Sequence, residues 1–140
     1  MQAYQATAVG IAGRAVLIEG EPGMGKSSLA LALIDRGASL IGDDGVMLEA
    51  RDGGLHVSPH PNTRGLIEVR NLGVLTMPVY ECERVALVIR LDRQAPRFID
   101  AAGQAERLGV ALPEVALWPD SPVLAIRAEL ALQTYGLVFA

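Results

Sequence analysis

The stretch GEPGMGKSSLALALIDRGASLIGDD, residues 20–44, decides how the chain reads. Its first eight residues fit G-x-x-x-x-G-K-[ST], the phosphate-loop pattern. Glycines at 20, 23 and 25 let successive backbone N–H groups curl inward around phosphate oxygens, a concavity that bulky side chains would close. The helix that follows adds partial positive charge at the same point. The loop as read comprises Gly20, Glu21, Pro22, Gly23, Met24, Gly25, Lys26, Ser27 and Ser28. Lys26 is placed to reach the β and γ phosphates, and the Ser27 hydroxyl to ligate Mg²⁺. The plainer reading is a chance glycine turn before a helix. The flanks argue against it, since the apolar strand Ala15 to Glu19 precedes the loop and a helix follows directly. Hydrolases, small-molecule kinases, protein kinases and nucleotide sensors all use such a loop, so it names no reaction.

Outward from the loop, Gln5 to Ile11 and Arg14 to Glu19 read as strands joined by a tight turn at Ala12-Gly13. Lys26 to Arg36 reads as a helix with Leu29, Leu33 and Arg36 on one stripe, widened by Leu31 and Ile34, and closed by Gly37 in the left-handed conformation. Ser39 to Gly42 is a short strand ending at Asp43-Asp44. Val46 to Ala50 and Leu55 to Val57 form a hairpin around Asp52-Gly53-Gly54, and His60 to Gly65 is a loop. Val74 to Tyr80 and Arg84 to Leu91 are strand-like, the second suited to burial on both faces. Asp92 to Gly103 is polar and irregular. Ser121 as cap and Pro122 at the first position open a last helix, with Val123, Ile126, Leu130 and Gln133 at helical spacing and Gly136 ending it. The expectation is one β-rich α/β phosphate-loop domain over residues 1–140.

The bulk composition agrees. Half of the 140 residues are apolar (51%) and 20% are charged, which supports a packed core. A net charge of −4 with no basic cluster excludes nucleic acid as main partner. The first residues carry no Lys or Arg and no long apolar run, so no signal peptide is expected. Runs such as Val85-Ala-Leu-Val-Ile fall far short of the roughly 20 residues that span a membrane. The single Cys82 and two isolated histidines, His56 and His60, offer no zinc spacing and read as surface or packing residues. A soluble cytoplasmic domain is expected.

Phosphoryl transfer to a hydroxyl needs a metal on the phosphates, positive charge for the equatorial oxygens and a group that orients the nucleophile. Asp43 and Asp44 follow the loop's strand–helix unit. In an extended segment they would face opposite ways, one toward the phosphates and the other supporting it or serving the metal; an Asx turn at Asp-Asp-Gly45 is the alternative. Glu68 and Arg70, two apart in Leu66-Ile-Glu-Val-Arg-Asn-Leu-Gly73, share a face if extended and either hold metal and phosphate or form an exposed ion pair. Val85 to Asp92 resembles an apolar strand with a metal-binding Asp but reads better as a core strand. Trp118 reads as a packing residue.

Taken together, these motifs resemble the catalytic domain of bacterial HPr kinase/phosphorylase. The resemblance rests on the phosphate loop, Asp43-Asp44, an [IL]-E-[IV]-R-x-L-G signature at Ile67 to Gly73, Glu-Arg-Leu-Gly at 106–109 and Pro122 to Arg127, in family order. It implies a fold like the phosphoenolpyruvate carboxykinase core and an ATP-dependent kinase for a serine on the small phosphocarrier HPr. It also implies a reversal by phosphorolysis, in which phosphate is consumed and pyrophosphate released. By position, it implies that Asp44 accepts the serine proton with Asp43 beside it, and that Lys26 neutralises the phosphates. Ser27 and Glu68 would bind Mg²⁺, Arg70 and Arg107 would contact the transferred group, and Arg127 would sit on the helix closing the site. Ring-like hexamers are implied as well.

The sequence departs from the family pattern at several positions. A histidine on the strand before the loop is replaced by Gln5, which cannot titrate near neutrality. Asn71 stands for the signature glycine, and Ile126-Arg127-Ala128 for a late Gly-Arg-Asn. Relative to the family, a short form without the N-terminal domain and the terminal helical extension is expected. A catalytically impaired nucleotide sensor of the same fold and a small-molecule kinase are the rival readings.

Overall fold

A computed structural model describes residues 1–139. In chain order the elements are β1 (Gln2–Tyr4), β2 (Thr7–Ile11), β3 (Arg14–Glu19), α1 (Lys26–Asp35), β4 (Ser39–Gly42), β5 (Val46–Arg51) and β6 (Gly54–Pro59). They continue with β7 (Leu66–Val69), β8 (Gly73–Thr76), β9 (Glu83–Leu91), β10 (Gly103–Arg107), β11 (Val110–Leu117) and α2 (Leu124–Tyr135). Nine strands form one mixed sheet whose main path runs β1-β5-β6-β9-β3-β2-β4. The β10–β11 hairpin joins it through β11, which runs parallel to β9. The β7–β8 hairpin stands apart as a two-stranded sheet.

The register of the central strands places the functional end of the molecule. β3 lies between β9 (parallel) and β2 (antiparallel), and β2 pairs in turn with β4. Thr7 stands opposite Ile18 and Ala8 opposite Gly42. The start of β2, the end of β3 and the end of β4 therefore meet at one edge, where the loop at Gly20 and the pair Asp43-Asp44 emerge.

Alternation along β3 divides the core. Val16 and Ile18 face the helices with Leu29, Leu33, Leu87 and Ile89. Ala15 and Leu17 face the other layer with Leu48, Leu55, Val57 and Leu112. β9 is buried from Val85 to Ile89, as its continuous apolar run requires. Helix α1 ends as its sequence dictates: Gly37 takes φ +109, its N–H donates to Ile34 O (3.0 Å), and Ala38 N–H donates to Leu33 O (2.9 Å). These two bonds close the helix and satisfy its last carbonyls.

Several expectations need correction. Helix α2 begins at Leu124; Ser121 and Pro122 make the turn before it, in which Ser121 Oγ accepts from Val123 N–H (3.2 Å). It buries Leu124, Ala128, Ala131 and Leu132, while Val123, Ile126 and Leu130 are exposed. The small alanines let the helix sit close on the sheet, so the face with larger side chains turns outward. Val74 to Tyr80 is strand only as far as Thr76, and β8 is exposed throughout. β1, β10 and β11 were not expected. Among the described residues, no helix is long and apolar enough to cross a membrane.

Candidate active site

The phosphate loop turns through two glycines in the left-handed region, Gly23 at φ +83 and Gly25 at φ +93, with open space where a Cβ would stand. At Gly20 the constraint is different: a Cβ would meet the Leu91 carbonyl oxygen at 3.0 Å, so the loop leaves β3 hard against β9. Gly25 is the residue before α1, and Leu29 N–H returns to its carbonyl at 2.9 Å. No acidic residue belongs to the first turn of α1, whose positive end faces the loop. Lys26 Nζ donates to Gly20 O (2.7 Å), folding the chain's only lysine back across the loop.

Asp43 is the hub of the polar network. Its Oδ1 accepts from Ser27 Oγ (2.6 Å) and from Thr7 Oγ1 (3.1 Å), and its Oδ2 accepts from the Glu68 N–H (3.0 Å). Phosphate loop, β2 and β7 are thus tied to one carboxylate. Thr7, the one fully buried polar side chain among the described residues, also accepts the Asp44 N–H (3.1 Å). Asp44 itself adopts φ +61 and is exposed. Aspartate tolerates this left-handed turn better than most residues, at a cost on the order of 1 kcal/mol. The turn separates the roles of the neighbours: Asp43 looks into the protein, Asp44 out of it.

A cleft of about 270 Å³ collects Gln5, Pro22, Gly23, Gly25, Lys26, Ser27, Ser28, Asp43, Asp44, Glu68 and Arg70. A second, wider cleft of about 510 Å³ adjoins it, sharing Gln5, Asp43 and Asp44. Six residues singled out for chemistry (Lys26, Ser27, Asp43, Asp44, Glu68 and Arg70) therefore converge. Glu68 and Arg70 are both exposed and lie 3.9 Å apart, a loose pair whose groups stay available to a ligand. Glu21 is exposed outside the cleft lining, and Met24 packs toward the helix-side core.

Two arginines are not brought to this cleft. Arg107 pairs with Glu19, Nη2 to Oε1 at 2.6 Å and Nε to Oε2 at 3.2 Å, and its Nε also reaches the Tyr4 hydroxyl at 2.8 Å. Tyr4 donates to Glu19 Oε2 (2.7 Å). Burial, with the hydrogen bond to Glu19 adding to it, pushes the Tyr4 phenol up to about 12. The hydrogen bond to Glu19 holds the Arg107 guanidinium above its usual range. Arg107 thus braces the residue just before Gly20 and does not face the phosphate loop. Arg127 lies over the Trp118 ring, 5.8 Å from its centroid, beside Pro96 and Arg97. Trp118 is partly exposed, its Nε1 donating to Ala95 O (2.6 Å). Asp92 pairs with Arg90 and accepts Gln94 N–H (2.8 Å), away from the cleft. Thr7 and Tyr4 escaped the sequence reading. The one signal for Thr7 was a polar residue leading an otherwise apolar strand.

Comparison with known proteins follows the same lines. The family described as HPr Serine kinase C-terminal domain matches residues 1–117. HPr kinase/phosphorylase of Clostridium novyi (strain NT) is 38% identical over 95 residues, covering 63% of this chain and 31% of that protein. The Limosilactobacillus reuteri (strain DSM 20016) protein of the same name is 33% identical over 145 aligned positions, covering 91% of this chain and 44% of its own length. The chain thus spans less than half the length of these relatives. The structure of the Hpr(Ser) kinase/phosphatase from Coxiella burnetii superposes with a TM-score of 0.84 at 28% identity, covering 95% of both chains. Match, fold and motif order agree: the chain belongs to the HPr Serine kinase C-terminal domain family.

Proposed function

We propose that this chain transfers the γ-phosphoryl group of ATP to a serine hydroxyl of an HPr-type phosphocarrier. The observation that carries this reading is the position of Asp44, whose exposed carboxylate lines both the phosphate-loop cleft and the cleft next to it. In the transfer, the serine oxygen bonds to the γ phosphorus as the bond to the β-phosphate oxygen breaks. The serine proton passes to Asp44, and ADP leaves. Lys26, the loop N–H groups and the start of α1 hold the phosphates, and Arg70 is the other cationic side chain lining the cleft.

The residues present fit Mg²⁺. The Ser27 hydroxyl donates its hydrogen bond to Asp43, which leaves the oxygen's lone pairs free for a metal, and Glu68 offers a carboxylate on the same cleft. Magnesium commonly takes one or two protein ligands and completes its shell with phosphate oxygens and water. When bound, it neutralises charge on the β and γ oxygens. Asp43 holds Ser27 and the β7 backbone in place for it.

The test incubates the chain with ATP, Mg²⁺ and the HPr-type carrier of the same organism, with phosphoserine read by mass spectrometry. Phosphoserine from wild type and none from Lys26→Ala is the expected result. Binding of MgATP without transfer to the carrier would overturn the reading and leave a nucleotide sensor.

A further inference from the structure

The strands beside the phosphate loop give it two unlike flanks. On one side of β3 lie β2 and β4, and the turn after β4 carries Asp44. On the other side β9 runs parallel to β3, and β11 parallel to β9. The carboxyl ends of these three strands stand in a row: Glu19 is opposite Arg90, Leu117 is opposite Leu91, and Asp92 N–H donates to Leu117 O (3.0 Å). The phosphate loop, the turn after Leu91 and the segment Trp118 to Asp120 therefore leave the sheet side by side. The carboxyl ends of parallel strands are where α/β sheets commonly bind ligands. With the γ-phosphoryl group at Asp44, the triphosphate runs along the loop and its nucleoside end emerges on this other flank.

The side chain that stands there is Arg93. Its Nε donates to Asp120 Oδ2 (3.0 Å), and its Nη1 lies 3.5 Å from Sδ of Met24, a residue of the phosphate loop. Both contacts use N–H groups in the plane of the guanidinium, which leaves its faces open. Among the described residues no aromatic ring covers it, although rings lie over Arg84, Arg107 and Arg127. The Arg93 side chain is 54% exposed, and an ion pair this open adds little to stability. A planar cation held by its edges beside the loop, with a free face, suits a heterocyclic ring stacked upon it.

We infer that Arg93 is the seat of the nucleotide base. The base stacks on the guanidinium face, and Asp120 holds that face in orientation from the chain after β11. The direction of the triphosphate, and with it this inference, rests on the kinase reading above. Arg93 touches the nucleoside and none of the transferred atoms, and Asp120 is a positioning residue.

The test measures binding to the full chain by titration calorimetry, with Mg²⁺ and without any carrier. Two ligands are compared: ATP, and inorganic tripolyphosphate, which has the phosphates and no base. Arg93→Ala should raise the Kd for MgATP by about three- to tenfold, the loss of one exposed stacked cation, and leave the Kd for tripolyphosphate within about twofold of wild type. Asp120→Ala should show the same selective loss, smaller in size. Retained tripolyphosphate binding also reports that each variant is folded. Equal weakening of both ligands by Arg93→Ala would overturn the inference, since the guanidinium would then act on the loop or the phosphates. Wild-type affinity of Arg93→Ala for both ligands would overturn it too, and place the base elsewhere. Because no acceptor is present, either result leaves serine phosphorylation to be decided by the carrier assay. A wild-type chain that binds neither ligand would overturn both readings.

Discussion

Asp43 and Asp44 are adjacent in sequence and opposite in orientation, because a left-handed residue 44 turns the second carboxylate outward. Thr7 fixes that turn by accepting the Asp44 N–H while donating to Asp43. Asp43 never needs to touch substrate to matter. Its three hydrogen bonds orient Ser27 and the backbone of Glu68. Asparagine in its place would set an amide N–H against one of these donors. Asp43→Asn is therefore expected to weaken Mg²⁺-dependent nucleotide binding by roughly 10- to 100-fold, the usual effect of losing a group that orients a metal ligand. Titrating Mg²⁺ at fixed ATP against a fluorescent nucleotide would show it.

The elements around the site depend on where the chain can turn. Gly42 ends β4 with no room for a side chain: a Cβ would meet Gly45 O at 2.6 Å and Val46 Cγ1 at 2.7 Å. Gly45 belongs to the turn that carries Asp43 and Asp44, and Val46 opens β5 directly after it. Gly42→Ala should lower Tm by roughly 5–10 °C and reduce transfer together, readable by scanning calorimetry and the carrier assay. Local signals of this kind made much of the fold legible in the sequence. The turns at Ala12-Gly13 (φ +49, +82) and Asp52-Gly53 (φ +53, +76), and the helix stop at Gly37, all follow from adjacent residues. Elements that depend on distant partners were less legible. The β10–β11 hairpin has the same kind of turn, at Leu108-Gly109 (φ +50, +79), but charged residues and Pro113 interrupt its strands. In α2, apolar residues surround the helix, and only packing against the sheet selects the alanine face. For the same reason the destination of Arg107 could not be read. Its partners Tyr4 and Glu19 lie 103 and 88 residues away.

Across the molecule, the Tyr4–Glu19–Arg107 cluster ties β1 and β10 to the end of β3, just behind the phosphate loop. The side chains of Arg107 and Glu19 are 21% and 15% exposed, shielded enough that removing one strands the other. Arg107→Met should cost about 2 kcal/mol of stability, and Glu19→Gln in the same chain should restore part of it, a coupling that denaturant melts of the double-mutant cycle would measure. The raised Tyr4 pKa gives the pH dependence a definite sign. Below the unfolded value of about 10, both states keep the proton and the contribution is complete. Between there and about 12 only the unfolded chain releases it, so stability falls as pH rises. The urea midpoint of wild type should therefore drop more steeply than that of Tyr4→Phe between about pH 9 and about pH 11.5.

The position of Asp44 is tested most directly by its own substitution. With saturating MgATP and an HPr-type carrier, Asp44→Asn should form phosphoserine at least about 100-fold more slowly than wild type while binding nucleotide within about threefold as tightly. Transfer at the wild-type rate would contradict the account, because the group placed to take the serine proton would then have no part in the reaction.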